Sequence, residues 1–404
     1  KGRFEKMFLD GAPPINIGVT SSGDFLGGTA ISFTDVLGDE SFQFYAYSMM
    51  QYRTYAGSYV NLSGRLQYAL QGFSQESFFY GTNAFFDPSM SFLSRDQALA
   101  VQTMRGGSAF AFYPFDRFRR LELSGGLVHF NEKFDSPGLA AQAEQYQQQT
   151  LGVDLFRNGA QLPLGVKFVQ ETTVFREFGP VSGNTVQFGY TYAPTIGTRF
   201  LGRQTIDADG RYYYRIGETG LLALRGRWFK SFGDFPDFYY FGGNGEMRGY
   251  EYLEFIGHNA GHFNAELRFP LIEAMLTPIG VLGGIRGTFF FNLGGAGLNG
   301  QPFKLFSNTD EQFTPIIGFR QDPLTLNVEA VEGSTTAVSG FRLVNGRASY
   351  GLGLETFVIG FPVHFDWSWR TLFNKNWEDL VYATQGGSAN FRRPRFAFWM
   401  GYDF

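Results

Sequence analysis

The chain has 404 residues, 44% of them hydrophobic, with a net charge of -4 and no cysteine. The acidic balance and the lack of any basic block exclude nucleic acid as the main partner. No window of about 20 residues is apolar enough for a spanning helix, and the strongest run, Leu271 to Gly284, contains Glu273. By contrast, 48 Phe, 21 Tyr and 53 Gly suit a membrane barrel, where aromatic girdles and tight turns recur. A span built without helices must be a closed sheet, because lipid leaves no partner for open backbone. The absence of thiols fits the cell envelope.

In chain order, Gly27 to Leu37 and Ser41 to Gln51 read as a strand pair joined by the Gly38-Asp39 turn. Alternating stretches follow at Arg65–Phe73, Ser108–Tyr113, Arg119–Lys133, Pro163–Phe175, Thr185–Ala193, Gln204–Gly217 and Leu221–Phe229. The mixed segments Gln75–Arg105 and Phe134–Gly159 read as long loops with partial helical character.

From Phe241 to Pro270 the sequence is FGGNGEMRGYEYLEFIGHNAGHFNAELRFP. It begins as a glycine-rich loop carrying Met247-Arg248-Gly249-Tyr250. From His262 it alternates strictly, with His262, Asn264, Glu266 and Arg268 on one face and Phe263, Ala265, Leu267 and Phe269 on the other. Ile285–Leu293, Ala348–Leu354 and Val363–Trp369 repeat the scheme: Val363, Phe365, Trp367 and Trp369 face one way, His364, Asp366, Ser368 and Arg370 the other. Connections after the loop alternate short (271–283), very long (294–346), short (358–361) and long (371–394), as short periplasmic turns and long extracellular loops do.

The tetrapeptide Met247-Arg248-Gly249-Tyr250, followed by a strand carrying Glu266, Arg268 and Pro270, resembles the barrel of the BamA/TamA superfamily, the bacterial surface antigens. The resemblance covers Gln204 to Phe404, with Gly351-x-Gly353, Pro362 and Asp366 similar to the family's late strands. It implies an all-β fold: a transmembrane antiparallel β-barrel of about 16 strands in the bacterial outer membrane, with a long loop folded into the lumen. The expected division is a lead-in or linker over 1–26 and a barrel over 27–404, whose lumen loop runs from Phe232 to Gly261. The chain is expected to be a fragment lacking amino-terminal periplasmic modules.

A buried arginine needs a carboxylate, and Glu266 is the first candidate for Arg248. The family places a second acid in an aromatic-x-Asp-x-Gly motif. Here Phe290-Phe291-Asn292-Leu293-Gly294 has Asn292 at that point, which removes a charge and leaves a weaker lock or a neutral hydrogen bond. The lock residues are therefore Arg248, Gly249, Tyr250, Glu266 and Asn292. The last ten residues put Phe396, Phe398, Met400, Tyr402 and Phe404 on one face, like the terminal strand signal of outer-membrane proteins.

Catalytic readings are poor. His258, His262 and Glu266 have helical metal spacing, but strand alternation denies the helix. His129 and His364 fall on separate strands, and no nucleophile elbow or phosphate-cradling loop is present. The expectation is a protein that is not an enzyme and uses no metal or cofactor. Its partners would be outer-membrane lipids, nascent outer-membrane proteins, and periplasmic proteins or lipoproteins. The function implied by the resemblance is insertion or translocation of polypeptides at a seam between the first and last strands. The alternatives are an anchor or exporter for an amino-terminal domain, and a passive pore.

Overall fold

The computed structural model describes residues 7–11, 15–19, 25–49, 52–80, 99–134, 138, 158–176, 179–197, 199–217, 219–272, 275–277, 280–282, 284–321, 328–358 and 361–401. Two compact units divide the chain. The first takes 1–169, 189–205 and 232–236, the second 170–188, 206–231 and 237–404.

In the first unit β1 (Met7–Leu9) and β2 (Ile15–Val19) both ladder on β3 (Phe25–Asp35), so two strands occupy the segment expected as a lead-in over 1–26. Antiparallel neighbours follow in sequence: β4 (Glu40–Met49), β5 (Tyr52–Asn61), β6 (Gln67–Tyr80), β7 (Leu99–Pro114), β8 (Arg119–Phe134) and the short β9 (Asn158–Gln161). Strands β6 and β7 reach into the ends of Gln75–Arg105, where the sequence pattern predicts a loop. Cross-strand packing and pairing outweigh the mixed local pattern there. Residues 81–98 and most of the Phe134–Gly159 segment lie outside the described residues.

Next come β10 (Leu164–Glu171), β11 (Val174–Arg176), β12 (Gly179–Ala193), β13 (Arg203–Ile216) and β14 (Gly220–Phe232). The small hairpin β15 (Tyr239–Phe241) with β16 (Phe255–Gly257) closes the base of the RGY loop. In the second unit β17 (Asn259–Ile272) pairs with β14 on one side. After the two-strand ribbon β18 (Met275–Thr277) and β19 (Gly280–Leu282), β20 (Ile285–Gly297) pairs with its other side.

The very long connection after β20 is not irregular. It folds as a ribbon of three paired rungs: β21 (Phe306–Ser307) with β26 (Arg342–Leu343), β22 (Glu311–Phe313) with β25 (Thr336–Val338), and β23 (Ile316–Gln321) with β24 (Val328–Glu332). The main ladder then resumes as β27 (Gly346–Val358), β28 (Phe361–Thr371) and β29 (Arg395–Met400). Between the last two, the expected long loop carries short helices at Lys375–Val381 and Gly387–Phe391.

Among the described residues, nineteen strands carry the main pairing. Segments β1 and β2 share one flank of β3, while β9 and β10 follow each other along β8 and lead into β11. Merging those five segments into two leaves sixteen strand positions.

The polar face of the second unit's ladder is the buried one. His262, Asn264, Glu266 and Arg268 of β17 are at most 4% exposed, whereas Phe263 is 41% and Leu267 37% exposed. Strand β28 repeats this, with His364, Asp366 and Ser368 buried and Trp367 exposed. Such inversion is unfavourable in water, and it is the arrangement a strand needs between a polar interior and lipid.

Candidate functional site: a buried arginine latch

Two hydrogen bonds, from Met247 N–H to Gly243 O (2.8 Å) and from Tyr250 N–H to Met247 O (3.2 Å), fold the tetrapeptide into a tight turn. Gly249 completes it at φ +88°, a left-handed conformation. A Cβ there would stand 2.8 Å from Ser368 Oγ on β28, so the glycine serves both backbone shape and close approach. Met247 is fully buried with Phe241, Tyr250, Phe255 and Ala260. Its seat exists because β20 has Gly294, where a Cβ would stand 2.9 Å from Phe241 and 3.0 Å from the Met247 sulfur.

That apolar seat aims Arg248 at two acids. Its Nη1 lies 2.7 Å from Glu266 Oε1 and its Nε 3.2 Å from Asp366 Oδ2, with all three side chains at most 5% exposed. The guanidinium also sits over the Phe290 ring, 4.6 Å from its centroid, a favourable cation–π geometry. Glu266 is shared with Arg268, whose Nη2 is 2.8 Å from Oε2. The buried charges are thus compensated by pairing, as burial requires.

Tyr250 donates its hydroxyl to Ala348 O at 3.0 Å and meets Phe255 edge-on, which anchors the loop to β27. Asn292 does not touch the Arg248 guanidinium through a charge. Its amide sits between Asn264 (2.8 Å) and Ser349 Oγ (3.2 Å), and Asn264 Nδ2 donates to the loop carbonyl of Glu246 at 2.5 Å. Position 292 carries no acid, as the sequence shows, and a second carboxylate is supplied instead by Asp366, three strands from β17. Alternation along β28 puts Asp366 on the polar face, where the sequence suggests a lumen acid that tunes solvation and pairing but does not assign it to Arg248. Alternation puts Phe290 on the same buried face as Asn292, a signal that the sequence carries for the ring under Arg248.

His258 and His262 have structural surroundings. His258 accepts from Asn299 N–H (3.2 Å) and packs on Phe238, and His262 packs on Phe241. Of the terminal signal residues, Phe396, Phe398 and Met400 lie on the exposed face of β29, at 58%, 57% and 67%. Tyr402 and Phe404 lie outside the described residues.

Neither a family model nor a curated protein matches the sequence. Among solved structures, BamA from Haemophilus ducreyi lacking POTRA domains 1–3 superposes over 92% of this chain and 67% of that one, with 12% identity and a TM-score of 0.57. The chain has the BamA-type barrel fold. On that fold the buried polar face of the second unit's ladder is the lumen face and the exposed apolar face the outer one. CdiB from Acinetobacter baumannii (11% identity, 92% of this chain and 57% of that one, TM-score 0.43) and CdiB from Escherichia coli (11%, 97% and 67%, 0.44) are also similar. The chain spans about two thirds of the length of the BamA chain.

Proposed function

We propose that the chain is the membrane barrel of a non-enzymatic protein that inserts or translocates polypeptides at the outer membrane. The observation that carries this reading is the latch: an RGY loop pinned by Arg248 between Glu266 on β17 and Asp366 on β28, on a BamA-type barrel. A passive pore has no need of a loop tied to strands so far apart in the ladder. In this reading the first and last strands form a lateral seam, where an incoming strand adds by edge pairing. The partners are nascent outer-membrane polypeptides, lipids, and periplasmic proteins or lipoproteins that deliver the clients.

Depletion of the full-length protein followed by quantitative proteomics of the outer membrane tests the reading. Broad loss of other barrels is the expected result. An unchanged set of barrels would overturn insertion, and loss of one exported protein would mark a dedicated exporter.

A further inference from the structure

Asp366, the second carboxylate of the latch, also holds the terminal strand. Its Oδ2, 3.2 Å from Arg248 Nε, accepts the indole N–H of Trp399 at 2.7 Å. Trp399 stands on β29 directly opposite His364, and the two rings stack with centroids 3.7 Å apart and planes within 4°. His364 Nε2 in turn contacts Gly401 O at 2.8 Å.

A second link lies farther along the same strand. Arg395 Nη1 pairs with Glu251 Oε1, next to the tetrapeptide, at 2.8 Å. Ser368, against which Gly249 packs, donates to Arg395 O at 3.3 Å. Pairing of β29 with β28 needs only backbone. An indole is a donor without acceptor capacity, and here it is spent on a carboxylate that already faces a guanidinium.

We infer that Trp399 is the positioning residue that couples the terminal strand to the Arg248 latch. While the loop is latched, Arg248 fixes the position of Asp366, and the same Oδ2 that faces the guanidinium accepts from the indole. When Arg248 withdraws, the carboxylate loses its cation in a site that disfavours an unpaired charge. The hold of Asp366 on Trp399 then weakens, and β29 is left with its ladder, the stack on His364 and the Arg395–Glu251 pair. The coupling is reciprocal by thermodynamic necessity. Its use rests on the insertion reading, in which the terminal strand is an element that moves; the coupling itself belongs to the folded barrel and can be measured without a client.

Amide hydrogen exchange on the full-length folded protein tests it, since exchange reports local opening. Trp399→Phe keeps an aromatic ring facing His364 and removes the N–H together with part of the indole. It is expected to speed exchange of the β29 amides 396–400 and of the loop amides 247–250, each by about tenfold. Arg248→Lys, which keeps the charge but cannot reach both acids, is expected to speed the 396–400 amides likewise, and the double variant to add little to the larger single effect. Loop amides unchanged in Trp399→Phe, or effects that multiply in the double variant, would overturn the coupling. Normal coupling in a protein whose depletion leaves all other barrels intact would sink insertion and leave this inference standing.

Discussion

Arg248 illustrates how a single side chain can be set by groups far apart in sequence. Removing it takes a cation from Glu266, which retains Arg268, and from Asp366, which keeps the Trp399 indole. Loss of one partner from a buried ion cluster costs about 3–5 kcal/mol. Arg248→Ala is therefore expected to lower the urea midpoint of the detergent-folded barrel by that equivalent and to raise its ion conductance. An unchanged midpoint with unchanged conductance would show that the latch holds nothing.

Half of this cluster was legible in the sequence. Glu266 follows from alternation along one strand, eighteen residues after Arg248. Asp366 does not, because its approach depends on the registers of β17, β20, β27 and β28 together. A one-residue slip in any of them would turn the acid to the lipid face.

At the scale of elements, the spanning strands were readable because one polar and one apolar face impose a period of two. The long connections were not, since their order comes from packing on each other. The ribbon after β20 and the helix Lys375–Val381 meet around Leu343, Leu372, Trp377 and Phe391, all buried. Trp377 Nε1 donates to Leu343 O (2.7 Å), and Asn374 caps the helix by accepting from Trp377 N–H while its own amide donates to Ser339 O. Apart from that cap, the partners lie 34 and 35 residues apart in sequence.

The ribbon also has a charge clamp, in which Glu311 takes Lys304 (2.7 Å) and Arg342 (2.9 Å). Its carboxyl is held down to about 2, first by the Lys304 hydrogen bond and then by Thr309. A folded-state pKa below the unfolded one adds stability that is complete above the unfolded value and is lost as pH falls through the folded value. Exchange protection of residues 304–313 is thus expected to hold from neutrality down to about pH 4.5 and to fall between there and about pH 2. Lys304→Met should move that loss to higher pH, and a pH profile identical to that of the parent would exclude the clamp.

For the whole molecule, what decides stability is which face of each strand meets lipid. Strand β27 makes the test clean. Leu352, near its middle, is 44% exposed and pairs with Phe289 and Trp367, both on the exposed face, while Ser349 and Glu355 of the same strand are buried. In water a half-exposed leucine tolerates arginine at little cost, because surface substitutions usually change stability by less than about 0.5 kcal/mol. In a bilayer the same change at mid-depth costs about 2–4 kcal/mol. Leu352→Arg is therefore expected to lower the folded fraction on refolding into lipid vesicles, seen as loss of the fast-migrating unboiled gel band. Leu352→Phe, which keeps the face apolar, should refold like the parent. Equal refolding of the arginine variant would place that face in water and reverse the assignment of lumen and lipid for the second unit's ladder.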